Sequence, residues 1–406
     1  MKTNIVMEFL ALHLKQGAKL LLGLSGGPDS MALLQFLIAA RKKFAFSLHI
    51  AHVDHGWRKE SKREAKILQK LAEQLKLPFH LHTLQGVVGG SNIENRCRED
   101  RLAFFTRLHQ TYHFQALLLA HHSDDQIETI LKRVFEGAGL RALGGLRSVK
   151  YFNDLLIWRP LLSLKKVELQ VYLKKRNIFF FEDHTNHNST YLRARMRKKI
   201  LPDIEQNFGK NIQNNCLRLG ALCRELSGYL EEKCQMIKNS LIQGPFGDCL
   251  PLIFHPAELR FFLKEYDTKA HLSATALDLV IQMVQQNEGK NRQIQAPPIT
   301  FYINKNYLFM LKNPFPNFFK ERKRWRAVSC GNWLNFWQGE IAIMKDVRME
   351  SFANIKPYSK KSVKKWYSIH AVPSFFYERA PIFIREEKIV GECLTGKCIN
   401  ALQLTA

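Results

Sequence analysis

The sequence has no C-x-x-C pair. Its eight cysteines, Cys97, Cys216, Cys223, Cys234, Cys249, Cys330, Cys393 and Cys398, stand apart, which argues against a zinc ribbon or iron–sulfur site and suits reduced thiols in a cytoplasmic protein. There is neither an apolar run of the roughly 20 residues that a membrane span needs nor a basic amphipathic anchor. The start, Met1 to Leu24, is interrupted by Glu8, His13 and Lys15 and lacks a small-residue cleavage site, so it reads as mature protein rather than a signal peptide. No G-x-x-x-x-G-K-[ST] is present, which excludes a Walker-type triphosphate grip. Acidic residues are also scarce. Against 61 Lys and Arg stand 36 Asp and Glu, and the net charge of +25 points to a polyanionic partner. With no means of entering a membrane, nucleic acid is the better match.

What is present fills more than one core. A chain of 406 residues, 46% of them apolar, exceeds the usual domain size of about 100–200 residues. The first two hundred residues alternate short apolar runs with helical patterns, as βα units around a parallel sheet do. Lys19–Leu24, Ser47–Val53, Phe79–Thr83 and Gln115–Ala120 read as strands; Ser30–Arg41, Glu60–Leu75, Ile93–His109 and Asp124–Phe135 read as helices. Beyond Pro202 the sequence becomes helix-rich, with Leu272–Gln286 amphipathic and a strand pair over Gln293–Gln295 and Thr300–Leu311. Asn313–Arg326 combines prolines with a basic run and reads as a linker. The expected division is a parallel-sheet α/β domain over 1–205, a mostly helical middle domain over 206–312, the linker over 313–326 and a small α+β domain over 327–406.

The strongest local signal is LLLGLSGGPDSMALL, Leu20 to Leu34, an apolar strand giving way to SGGPDS and then to an apolar helix. Gly26 and Gly27 let the backbone turn tightly and admit a phosphate, Pro28 opens the helix, and the helix dipole aims its positive end at the same point. Ser25 and Ser30 add hydroxyl donors, while Asp29 is placed to cap the helix or to hold Mg²⁺.

Ligands of such sheets sit at the carboxyl ends of strands. The second strand ends in HVDHGWR, where His52 and Asp54 either touch the base and ribose of a nucleotide or belong to a hydrated turn. The fourth ends in HHSDDQIET, beginning at His121. Asp124 and Glu128 share a helix face and Asp125 adjoins them, an acidic cluster that binds Mg²⁺ or a cationic second substrate, or else caps the helix while Glu128 pairs with Lys132. Arg98 and Arg101 lie three apart on one helix, and Arg193, Arg195 and Arg197 crowd the segment TYLRARMRKKILP; both groups suit phosphate or RNA better than a solvated face.

Taken in order, SGGPDS, HVDHGWR, ENRCREDRLAFF from Glu94, HHSDDQIET, WRPLL from Trp158 and EDHTNHNSTYLRARMRKKILP from Glu182 resemble the successive blocks of the lysidine synthetase family, within the PP-loop ATP pyrophosphatases. The likeness covers about residues 18–205; Leu272–Leu311 and Ser359–Gly396 are more weakly similar to that family's middle and C-terminal tRNA-binding domains. Two positions depart from the pattern, Glu136 for an arginine and Ala194 for an asparagine.

The resemblance implies an adenine-nucleotide α-hydrolase-like fold and a ligase using ATP and Mg²⁺. ATP would adenylylate the wobble cytidine of a tRNA(Ile) with a CAU anticodon, and free L-lysine would then displace AMP from C2, changing codon reading from AUG to AUA and identity from Met to Ile. On that reading Ser25, Gly26, Gly27, Pro28, Asp29 and Ser30 hold the phosphates, with His52 and Asp54 beside the nucleotide. Arg98 and Arg101 neutralise phosphate charge; Asp124, Asp125 and Glu128 receive the lysine ammonium; His121, Arg193, Arg195 and Arg197 meet tRNA. The enzyme would act in the cytoplasm as a monomer or homodimer.

Two other enzyme readings use the same residues. A two-metal phosphoesterase could draw on His52, Asp54, His55, His121, His122 and Asp124, but leaves SGGPDS unexplained. A PP-loop tRNA thiolase would want paired cysteines or a cluster, and Cys97 stands alone in the catalytic third.

Overall fold

The computed structural model describes residues 2–54, 56, 61–84, 93–181, 192–209, 211–266, 272–286, 292–304, 306–316, 326–328, 333–342, 347–355 and 357–394. By its internal contacts the chain forms two units, Met1–Ser227 and Gly228–Ala406.

The first unit is built on apolar runs too short for anything but buried strands. β1 (Ala18–Gly23), β2 (Phe46–Asp54), β3 (Phe79–Thr83) and β4 (Ala116–Leu118) are all parallel, and they match the sequence expectation to within a few residues. The sheet continues into a hairpin of β5 (Val149–Phe152) and β6 (Leu155–Trp158), which the sequence reading did not anticipate. Four-residue strands carry little periodicity; the available signal was the Asn153-Asp154 turn, where Asn153 takes φ +50°. The order is β3-β2-β1-β4-β6-β5, so the chain reverses its direction of sheet growth between β1 and β4. The crevice beyond the carboxyl ends of these two strands is where such folds bind ligands.

Residues alternate between the two faces of the sheet, as a strand dictates. Leu20, Leu22, Leu48, Ile50, Ala116 and Leu118 pack among α1 (Lys2–His13), α2 (Pro28–Ala40) and α7 (Lys166–Lys174), whereas Leu21, Ala51 and Leu117 meet Phe104 and Phe105 of α4 (Ile93–Tyr112). Covered by sheet on one side and helices on the other, α2 is apolar nearly all round. α3 (Ser61–Gln74), which buries only Ala65, Leu68 and Ala72, is strongly amphipathic. Near the end of the unit, α8 (Leu192–Arg195) runs through a π-helical turn, Met196–Ile200, into α9 (Leu201–Phe208). Pro202 supplies the reason. It has no N–H for the Lys198 carbonyl and its ring crowds that oxygen, so the turn widens and the Leu201 N–H reaches back five residues to Met196 O.

In the second unit, a five-stranded antiparallel sheet joins the helices of the middle region. Thr300–Leu311, read from sequence as one strand, is a hairpin of β10 (Ile299–Asn304) and β11 (Tyr307–Lys312). The sequence reading ran through the polar residues at 304–306, and the two strands pair antiparallel from Asn304 and Tyr307 outward. One face of this sheet, with Phe301, Ile303, Leu308 and Met310, packs on α11 (Pro256–Tyr266) and α12 (Ala274–Gln285); the other, with Tyr302, Phe309 and Leu311, packs on Phe336, Trp337, Phe375 and Phe376.

Candidate active site

The loop after β1 is shaped from within by Ser30. Its hydroxyl is buried, accepts from the N–H groups of Ser25 (3.2 Å) and Gly26 (3.1 Å), and donates to Gly27 O (3.1 Å). Ser30 therefore spends its hydroxyl on the loop itself, and the exposed Ser25 side chain is the one turned to solvent. Gly26 takes φ +83°, and a Cβ there would lie 2.4 Å from the Phe181 ring, whose own N–H donates to Gly26 O (2.9 Å). No other residue fits that position. Gly27 is different: a Cβ would meet nothing nearer than Ser25 Oγ at 3.5 Å, so its outer side is open to a ligand.

Gly27 is also the N-cap of α2, with Pro28 opening the helix. Asp29 thus lies in the first turn and does not cap it, contrary to one of the two sequence expectations. The first turn leaves the N–H groups of Asp29 and Ser30 without an intrahelical acceptor, an anion-binding arrangement reinforced by the dipole.

At the end of β2, His52 is buried and its Nδ1 meets Leu24 O at 2.8 Å, tying β2 to the start of the loop. Burial holds its pKa below the usual value despite that bond and the nearby Asp54. Asp54, also buried, accepts from the Gly56 N–H at 2.8 Å. Both frame the crevice from within; His55 lies outside the described residues.

β4 ends in two histidines that serve different neighbourhoods. His122 is 1% exposed and is the N-cap of α5 (Ser123–Phe135). Its Nε2 stands 3.5 Å from Asp29 and 3.5 Å from Asp125, and its Nδ1 3.7 Å from Asp124. Burial alone would lower its pKa, but the carboxylates outweigh burial and lift it to about 9, so the imidazolium persists at neutral pH. Conversely, although burial opposes it, His122, the Ser123 hydroxyl and the Lys166 N–H hold Asp124 down to about 2. His121 instead accepts from Arg159 Nε at 3.2 Å.

The acidic cluster is real and is joined to the last arginine block. Arg197 donates from Nη2 to Asp125 (2.9 Å) and Glu128 (3.3 Å), and from Nε to the other Glu128 oxygen. Glu128 is 2% exposed and does not pair with Lys132, which turns to Glu136 (3.6 Å). The π-helical turn separates Arg197, part-buried, from the exposed Arg195, Lys198 and Lys199. The side chain of Arg193 lies outside the described residues. Arg98 is exposed on α4, and its charge is felt by Arg133, Lys150 and Arg159 near the β5–β6 hairpin. Sequence reasoning missed Arg159 and the bridging part of His122; the blocks WRPLL and HHSDD contained both, without a pattern to single them out.

The start of α2 and the start of α5 thus meet at His122, which places a helix start suited to an anion beside acidic side chains suited to a cation. Asp29 joins the two through His122, and its Oδ1 is buried with no hydrogen-bond partner. Among the described residues no group of three or more His, Cys, Asp or Glu could hold a metal ion. Cys97 is buried and its thiol is pushed up, chiefly by burial, so it is no ready nucleophile. Among the described residues no helix is long and apolar enough to cross a membrane.

Comparison with known proteins agrees with this geometry. The family model for the PP-loop domain matches residues 1–204. A tRNA(Ile)-lysidine synthase of Protochlamydia amoebophila is 30% identical over 97% of this chain and 92% of its own length. Those of Chlamydia pneumoniae and Chlamydia trachomatis are 40% and 38% identical over 60% and 61% of this chain, and 76% of their own in each case. With a PP-loop domain matched over residues 1–204 and a relative aligned over 97% of the chain's length, the chain belongs to the tRNA(Ile)-lysidine synthase family.

Proposed function

We propose that this chain is an ATP-dependent ligase that joins free lysine to C2 of the wobble cytidine of a tRNA(Ile) with a CAU anticodon, acting in the cytoplasm where all three substrates are found. The observation that carries the reading is the meeting, through Asp29 and His122, of an anion-binding helix start with a cluster of acidic side chains.

In the first step the cytosine O2 attacks the α-phosphorus of ATP, forming a P–O bond as pyrophosphate leaves. The open side of Gly27, the first-turn N–H groups of α2 and Ser25 bind the leaving β,γ-diphosphate, with charge preorganised where it develops. The unpartnered, buried Oδ1 of Asp29 is the hard oxygen that Mg²⁺ prefers. Asp29 would hold the ion together with the phosphates, and the ion would supply charge neutralisation on them. In the second step the ε-amine of lysine attacks C2 and AMP departs.

Lysine must arrive as ammonium and lose a proton to become a nucleophile. Asp124 has the greatest solvent access of the acids facing His122, with 38% of its side chain exposed against 26% for Asp29 and 14% for Asp125, and it is held ionised, so it makes the first contact with the ammonium. Asp125 and Glu128 are engaged by Arg197 and shape the back of the pocket.

The test is to incubate the protein with ATP, Mg²⁺, radiolabelled lysine and unmodified tRNA(Ile). RNA-bound label is expected, accompanied by pyrophosphate. Asp29→Ala should lower pyrophosphate release by about 10²-fold or more, the size of effect seen when one preorganised charge-stabilising group is lost. Wild-type release from that variant would remove the loop from the chemistry.

A further inference from the structure

On the far side of β4 from the phosphate loop lies a second concentration of charge, all of one sign. Arg159, directly after β6, is 7% exposed. Its Nε donates to His121 Nδ1 (3.2 Å) and its Nη1 to Arg147 O (2.9 Å), and among the described residues no carboxylate pairs with it. Lys150 on β5 and Arg98 on α4 are its charged neighbours, and Arg133 on α5 neighbours those two in turn. Arg133 is held in place by the carbonyls of Ala142 and Gly145 (2.9 Å to the latter), in a loop whose Gly144 O also accepts from Arg224 at 2.6 Å. Glu136 acts electrostatically on Arg133 and is itself paired with Lys132 at 3.6 Å.

A buried guanidinium without a counter-charge is costly, and the cations of Arg98 and Lys150 beside it add repulsion. Burial first, and Arg98 second, draw the Arg159 pKa down to about 10; burial and four arginines lower that of Lys150. A fold keeps such an arrangement when an anion completes it. A guanidinium fork fixed by its own hydrogen bonds, flanked by further cations, matches the tetrahedral oxygens of a phosphate.

We propose that Arg159, Lys150 and Arg133, with Arg98 beside them, form a second phosphate site that takes a phosphodiester of the tRNA backbone next to the target nucleotide. The site rests on the tRNA-ligase reading for the identity of the RNA. The sheet order separates it from the nucleotide loop: β6 stands two strands from β1, roughly 10 Å at the usual strand spacing. The diphosphate bound at the start of α2 does not reach it, whereas a polymer with a phosphate on every residue does. His121 belongs to this site as His122 belongs to the acidic one, so RNA backbone and lysine approach the reacting base from opposite sides of the β4 terminus.

The decisive variant is Lys150→Glu, since Lys150 is exposed and its replacement leaves the core intact. Dissociation constants for unmodified tRNA are measured over a salt series, and for a non-hydrolysable ATP analogue without RNA. Lys150→Glu should weaken tRNA binding about tenfold or more at 0.1 M salt and lower the slope of log K against log salt by about 1, leaving analogue affinity within about twofold. Arg159→Lys, which keeps the charge and loses the fork, should also weaken tRNA binding with analogue affinity preserved. Unchanged tRNA affinity and slope in Lys150→Glu would overturn the proposal, as would a fall in analogue affinity alone, which would give the cations to the nucleotide. Because binding is read without lysine, a wild-type protein that binds tRNA and transfers no label refutes the ligase reading and leaves this one to its own measurement.

Discussion

His122 carries a titration that the fold creates. Its pKa rises from 6.5 in an unfolded chain to about 9, so its stabilising contribution is complete below pH 6.5 and is lost as pH climbs through 9. The His49–His80 pair, joined ring to ring at 3.0 Å, has the opposite sign: burial lowers both, and their contribution is present above pH 6.5 and lost on acidification. Thermal melting as a function of pH should therefore fall on both sides. His122→Gln should flatten the alkaline limb and spare the acid one; an unchanged alkaline limb would detach His122 from the effect. Gly26→Ala should cost on the order of 1–3 kcal/mol, since alanine is strained at φ +83° and its methyl would collide with Phe181. Calorimetric unfolding together with ATP titration would detect both the loss of stability and the weaker binding. SGGPDS was legible at this scale because glycine, proline and helix start follow one another in the chain. The elevated pKa of His122 was not, because it depends on carboxylates from the first turns of two helices more than ninety residues apart.

Among the elements, β1 to β4 were readable because each is a short apolar run ending in polar residues, the mark of a buried parallel strand. The β5–β6 hairpin and the split of Thr300–Leu311 were not, since pairing partners rather than local pattern define them. The π-helical turn is likewise invisible to periodicity, although Pro202 prescribes it. Its result is that Arg197, expected to face RNA, neutralises Asp125 and Glu128 instead. Arg197→Met removes one partner of a largely buried pair and should cost about 3 kcal/mol. Adding Glu128→Gln should recover part of that loss, and denaturant titration of the single and double variants would show whether the two residues are coupled.

For the whole molecule, the net charge of +25 was the most accessible fact in the sequence and remains the most general constraint. Affinity for tRNA should fall steeply with salt, with a log–log slope near −0.7 to −0.9 for each phosphate contacted. A flat plot would contradict an RNA substrate whatever the chemistry at the loop. What composition could not reveal is where the charge lies. Asp29, Asp124 and Asp125 surround His122, whereas Arg159, Arg98 and Lys150 gather beside His121, an arrangement that the order of the strands brings about.

The adjacent residues His121 and His122 thus meet partners of opposite charge, Arg159 for the first and Asp29 with Asp125 for the second. A guest carrying a minus at one end and a plus at the other would be turned by torque before it touched either of them, so orientation could precede docking. Inserting a single residue between the two histidines would put them out of register and scramble that polarity without removing one charge from the protein.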